Sequence, residues 1–289
     1  MIEKEKVQSA TITELMAKEV AGEGAAGSAG FFKASDAKAA GDAARVGVRK
    51  IRIKDRLRDF NMLVPGSGLG PEFNDEYRRI KRPLMSNAFG KTAKMVEKGN
   101  LILVTSSVAG EGKTHTAINL ALSIAQERDH TVLLIDCDVT RCGTSRLMGV
   151  SDKPGLVDVL EDDGFSIGDV IMRTDVDKLC LMSAGKQHDY VTELLASKRM
   201  SDVIEEIGTR YDDRVIIFDA PPVLPTPQTA VLAELVGQIV FVIEAGRTPR
   251  SVVDEALKMI PEEQATGIVM NKSEGTLSRG DYYYGYYTE

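Results

Sequence analysis

The residues best equipped for chemistry form one short run, Gly110-Glu111-Gly112-Lys113-Thr114, inside SSVAGEGKTHTA. Glycines let successive backbone N–H groups turn toward a polyphosphate, and a helix opening just behind adds its positive end. Lys113 would reach the β- and γ-phosphates, and the Thr114 hydroxyl suits Mg²⁺. The strict phosphate-loop spacing is not met, because Ser107 stands where its first glycine would be. A chance GEGKT in a surface loop is the competing reading, and the flanks decide against it. An apolar run, LILVT (101–105), precedes the loop, and helical spacing of Ile118, Ala121, Leu122 and Ala125 follows. Gly110, Glu111, Gly112, Lys113, Thr114 and His115 are therefore the candidate nucleotide-binding residues.

Two further apolar runs end in carboxylates. LLIDCD carries Asp136 and Asp138, and VIIFDAPP carries Asp219. Ligands of open α/β sheets bind beyond the carboxyl ends of the strands, so all three acids are expected at the phosphate loop. The bland reading of one such Asp is a cap or turn residue; three beside a phosphate loop point to chemistry. Mg²⁺ takes oxygen ligands and keeps several waters. Thr114, Asp136 and Asp219 are the candidate metal ligands, and Lys113, Asp136, Asp138 and Asp219 the candidate catalytic set. Asn271 ends the run GIVMN, where a turn or cap role competes with a binding role. Five of the eight tyrosines, Tyr282, Tyr283, Tyr284, Tyr286 and Tyr287, crowd the C-terminus. An aromatic tail could pack, but Asp281, Gly285 and Glu289 interrupt it. A flexible tail fits better.

The elements that must position these groups follow from the pattern. LILVT, VLLID (132–136), LCLMSAG (179–185), VIIFD (215–219), IVFVI (239–243) and GIVM (267–270) read as buried strands. Helices are expected in part of 74–98 and over 113–127, 192–210 and 251–260. Alternating strands and helices predict an α/β fold, a mostly parallel sheet with helices on both faces.

The 289 residues allow one or two domains. Lys plus Arg number 36 against 43 Asp plus Glu, a net charge of −7, a poor match to a nucleic-acid binder. Three scattered cysteines make no disulfide framework. No apolar run reaches the ~18 residues of a membrane span, and the acidic N-terminus is no signal peptide, so a cytoplasmic location is expected. A short helix is expected within 1–20. Residues 21–44 hold ten Ala and five Gly and read as a linker. Residues 45–60 carry Arg45, Arg49, Lys50, Arg52, Lys54, Arg56 and Arg58, either a solvated basic segment or an arm toward anionic lipid or an acidic partner. Pro65, Gly66, Gly68, Gly70 and Pro71 then break the chain. The expected organisation is an extension over 1–71, a catalytic domain over 72–278 and a tail over 279–289.

In this order the motifs resemble the bacterial tyrosine kinases, P-loop proteins of capsular and extracellular polysaccharide assembly. SSVAGEGKT is similar to the family's Walker A, LLIDCDVTR to its Walker A′ and VIIFDAPP to its Walker B. Glu76, Arg79 and Arg82 match its ExxRxxR oligomerisation motif, and DYYYGYYTE its tyrosine cluster. The second motif departs in one place: Thr140 fills the usual arginine position and Arg141 follows. The resemblance implies a P-loop NTPase fold, ATP and Mg²⁺ as cofactors, Asp136 as base, adenine read by Asn271, and autophosphorylation in trans within a homo-oligomeric ring. It also implies a transmembrane polysaccharide chain-length regulator (co-polymerase) as activator at the inner membrane face, and a tyrosine phosphatase. The free-standing form is the closer likeness, and the Ala/Gly-rich extension resembles the exosortase-associated autokinases. A MinD/ParA-like ATPase switch is the alternative; those proteins carry a lysine where Val108 stands. A nucleotide-binding scaffold without catalysis is a third reading, weakened by the intact Lys113, Thr114 and acids.

Overall fold

The computed structural model describes residues 50–64, 69–90, 96–162, 164–188 and 190–273. The expected N-terminal helix, the Ala/Gly-rich segment and the tyrosine cluster lie outside the described residues. Seven strands form one sheet: β1 (Leu101–Ser106), β2 (Thr131–Asp136), β3 (Met172–Arg173), β4 (Leu179–Met182), β5 (Arg214–Asp219), β6 (Gln238–Glu244) and β7 (Ala265–Asn271). Their order is β3-β4-β2-β5-β1-β6-β7, and every pairing is parallel except β3 with β4. The strands are apolar throughout because both faces are covered. Leu101 and Leu103 face one hydrophobic cluster, and Ile102 and Val104 face the other.

The helices follow from amphipathic spacing. In chain order they are α1 (Lys54–Asp59), α2 (Pro71–Phe89), α3 (Lys113–Ala125), α4 (Gly143–Met148), α5 (Leu156–Glu161), α6 (Ile167–Val170), α7 (Val191–Leu195), α8 (Lys198–Thr209), α9 (Gln228–Glu234) and α10 (Arg250–Leu257). α2 and α3 cover one face through Tyr77, Leu84, Ile118 and Ile124. α5 to α10 cover the other, through residues such as Leu156, Val203, Leu232 and Val253. The helix expected over 192–210 is two, because Ser197 starts a new one, its Oγ accepting from the Met200 N–H at 3.2 Å.

One expectation changes. The sequence reading sets residues 1–71 apart from the catalytic domain, yet residues 51–64 are part of the folded unit. Ile53, Leu57, Met62, Leu63 and Val64 are all buried in the same cluster as α3. The Ile51 N–H donates to the Arg173 carbonyl at 2.9 Å, extending the sheet beyond β3. The Leu63 N–H donates to Asn119 Oδ1 on α3 at 2.7 Å. The basic residues of this segment alternate with buried apolar ones, so it is an amphipathic strap across the domain.

Candidate active site

The phosphate loop leaves β1 and enters α3. Gly110 and Gly112 have φ of +94° and +98°, the left-handed region that glycine tolerates. At Gly112 a Cβ would also stand 1.9 Å from Asn271 Nδ2. Below the loop lies the Glu111 carboxylate, 1% exposed. Its Oε2 accepts from the Val108 N–H at 2.7 Å, and its Oε1 from the Thr248 hydroxyl at 2.6 Å and the Glu244 N–H at 3.4 Å. Asn271 Nδ2 donates to the Glu111 carbonyl at 2.8 Å, and Lys272 Nζ to the Gly110 carbonyl at 2.7 Å. Glu111 and Asn271 thus hold the loop's shape from below. The first-glycine position, Ser107, is fully buried.

The three acids converge as expected. β2 pairs β5 with Asp136 opposite Asp219. Asp138 Oδ2 accepts from Lys113 Nζ at 2.7 Å, with both side chains almost wholly buried. Asp136 Oδ2 accepts from the Ser145 N–H and hydroxyl, each at 2.7 Å, and its Oδ1 from the Asp138 N–H at 3.2 Å. Asp219 Oδ2 accepts from the Thr144 hydroxyl at 2.8 Å, while its buried Oδ1 has no partner. Burial and the neighbouring Asp219 push the Asp136 carboxyl up to about 7, against the Ser145 hydrogen bonds. Burial also raises Asp219, opposed by the Lys113 charge and the hydroxyls of Thr144 and Thr114. The Cys137 thiol is driven well up by burial and the same three carboxylates.

Two dry carboxylates that repel each other, one with an orphaned oxygen, fit a cation. Thr114 lies close by, since a Cβ on Gly143 would meet its Oγ1 at 3.0 Å. Among the described residues no cluster of three or more His, Cys, Asp or Glu could hold a metal. A hard cation here would complete its shell with hydroxyl, phosphate and water oxygens, as Mg²⁺ does.

A cavity of about 480 Å³ opens in front of Lys113 and Thr114, and Asp138, Arg141, Arg146 and Phe60 help line it. His115 also lines it, its imidazole held below the usual range by burial. Asp136 does not line it: among the three acids Asp138 reaches the cavity wall. Sequence reasoning missed the Glu111–Thr248 clamp, Thr144, Ser145 and Phe60. The hydroxyl pair directly after Gly143 was the one local signal; the clamp joins residues 137 positions apart. Glu76, Arg79 and Arg82 are exposed on α2, and none has a charged partner among the described residues.

Comparisons with known proteins identify the family. A family model described as an AAA domain matches residues 99–246. The tyrosine-protein kinase CpsD of Streptococcus agalactiae is 34% identical over 203 residues, 68% of this chain and 86% of CpsD. The chain belongs to the bacterial tyrosine-protein kinase family. The tyrosine-protein kinase wzc of Salmonella typhi is 30% identical over 197 residues; the match covers 68% of this kinase and 27% of wzc, so this chain spans about a quarter of that longer relative. Among solved structures, the BceF tyrosine kinase domain superposes with a TM-score of 0.59 at 27% identity, covering 80% of this kinase and 86% of that chain. The kinase shares its fold with the BceF domain.

Proposed function

We propose that this kinase transfers the γ-phosphoryl group of ATP to Tyr282, Tyr283, Tyr284, Tyr286 and Tyr287, in trans within a homo-oligomeric ring. The observation that carries this reading is the Lys113–Asp138 ion pair at the wall of the cavity. An arriving triphosphate competes for Lys113 and draws it onto the β- and γ-oxygens. That frees the Asp138 carboxylate at the cavity wall. A tyrosine phenol has a pKa near 10, so it needs a base at neutral pH. Its oxygen bonds to the γ-phosphorus as the bond to the bridging oxygen breaks, leaving ADP. The phenol proton passes to Asp138. The resemblance implies Asp136 as base, but its oxygens are engaged away from the cavity. Asp136, Asp219 and Thr114 suit holding Mg²⁺, which when bound offsets phosphate charge. Backbone N–H groups of the loop through His115 cradle the phosphates, and Asn271 serves the base end while bracing the loop.

The partners and place follow from the family likeness. Glu76, Arg79 and Arg82, exposed and without a charged partner among the described residues, serve the contact between ring subunits. The kinase regulates exopolysaccharide or capsule chain synthesis and export. A transmembrane chain-length regulator activates it at the inner membrane face, and a tyrosine phosphatase resets it. Among the described residues no helix is long and apolar enough to cross a membrane. Against a positioning ATPase, Val108 takes the place of the loop lysine, and its N–H is spent on Glu111.

The test is incubation with ATP and Mg²⁺, followed by mass spectrometry. Tail phosphotyrosine is expected in the unaltered chain, and replacing all five tail tyrosines by Phe should remove nearly all of it. Undiminished labelling in that variant would overturn the assignment of the acceptors. Binding and hydrolysis of ATP without any phosphotyrosine in the unaltered chain would favour the ATPase switch.

A further inference from the structure

The cavity before the phosphate loop has a wall that phosphate binding does not explain. Phe60 lines it and is 47% exposed. Its flanking residues in the strap are fixed, since Leu57 and Met62 are 1% and 2% exposed. Arg56 locks the strap to α4, its guanidinium donating to the carbonyls of Leu147 at 3.1 Å and Arg146 at 3.2 Å. A phenyl ring left about half exposed at a cavity wall forgoes apolar burial that a ligand could supply. Next to it, Arg141 and Arg146 line the same cavity, exposed and without a carboxylate partner among the described residues.

Cations alone would serve a phosphate; a ring beside them calls for an aromatic ligand carrying negative charge. The nucleotide base is the weaker candidate, because Asn271 is absent from the residues that line this cavity. The acceptor is the better one. The sequence DYYYGYYTE offers aromatic rings with Asp281 and Glu289 at its flanks. Asp138, at the same wall, is then within the cavity that receives the phenol.

We propose that Phe60, with Arg141 and Arg146, forms the subsite that grips the acceptor tyrosine of a second copy's tail. The ring packs on Phe60 and the guanidiniums attract the tail's carboxylates. This rests on the kinase reading and adds a specificity role for the strap, which positions Phe60 at the cavity.

The experiment uses the full chain with its five tail tyrosines replaced by alanine, and a free peptide of residues 279–289 as acceptor. Phe60→Ala should raise the peptide KM about fivefold or more, the scale of one aromatic contact, and Phe60→Tyr should restore it. The dissociation constant of a fluorescent ADP analogue with Mg²⁺ should stay within about twofold, since the phosphate loop is untouched. Arg146→Gln should raise KM about threefold at low salt, with the difference shrinking as salt is added. Because Phe60 is half exposed, the thermal midpoint should hold; if Phe60→Ala unfolds, Phe60→Leu, which keeps apolar bulk, carries the same KM test. An unchanged peptide KM in the Phe60 variants would overturn the subsite, as would weaker ADP binding, which would make Phe60 a base contact. If the peptide is not phosphorylated at all by a chain that binds Mg·ADP, the kinase reading itself falls.

Discussion

The two sides of the site are built on opposite terms. On one side the Glu111 carboxylate is buried and saturated, with donors from Val108, Thr248 and Glu244. On the other, Asp136 and Asp219 are just as buried but repel each other, and one Asp219 oxygen has no partner. The same side chain type in the same dry surroundings is a brace in one place and a cation trap in the other. The difference lies in the like charge beside Asp136 and the orphaned oxygen of Asp219, not in burial. A satisfied carboxylate holds the loop in a fixed shape before ligand arrives, whereas an unsatisfied pair stores a demand for positive charge.

The comparison breaks most completely at Lys113, the cation paired with Asp138. Lys113→Met should cut tail phosphorylation by at least about 10²–10³-fold, read as initial rate by mass spectrometry. Circular dichroism should show the fold retained, with a lower thermal midpoint because Asp138 loses its partner. Full activity in the folded variant would remove Lys113 from catalysis.

The next effect is one of pH. The folded pKa of Asp136, about 7, lies above its unfolded value near 3.9. The stability contribution of this group is therefore fully present below about pH 4 and is lost as pH rises through 7. In the metal-free protein, Asp136→Asn should flatten the fall in stability between pH 6 and pH 8. At pH 8 it should gain on the order of 1–3 kcal/mol over the unaltered chain, read by urea titration, while losing most of the stabilisation by Mg·ADP. Parallel pH profiles in the two proteins would show that the pair is not strained.

The brace gives smaller changes of the opposite sign. Glu111→Gln turns an amide donor toward groups that already donate, and should cost about 1–3 kcal/mol at all pH values between 6 and 8. Mg·ADP should bind several-fold more weakly to this variant, measured by calorimetry. A stability gain at pH 8 would mean that Glu111 is strained as Asp136 is.

Much of this was legible in the residues. Continuous apolar runs marked six of the seven strands, and the strand-end acids pointed to the site because parallel sheets bury both faces. β3, two residues long and antiparallel, leaves no periodic signal. The strap at 51–64 was obscured by its charge: seven basic residues over 45–60 outweigh Ile51, Ile53 and Leu57 in composition, although those apolar positions are what bury it. Division of labour among the acids was not readable either. LLIDCD shows two aspartates, but only the turn into α4 decides that Ser145 takes up Asp136 and leaves Asp138 to Lys113.

The hydrogen bonds from Asn271 to Glu111 and from Lys272 to Gly110 span 160 and 162 residues. On the ribosome, the loop emerges first and its braces arrive roughly ten to thirty seconds later, at ordinary rates of translation. Until then the glycines lack what holds them in shape, so a nascent chain carries a phosphate loop that is not yet competent. The order of synthesis thus acts as a timer: β7 completes the cradle, and the tyrosines follow it within roughly half a second to three seconds, at about 5–20 residues per second. A product cut short before β7 would have the motif but not its shape, and would spend no ATP.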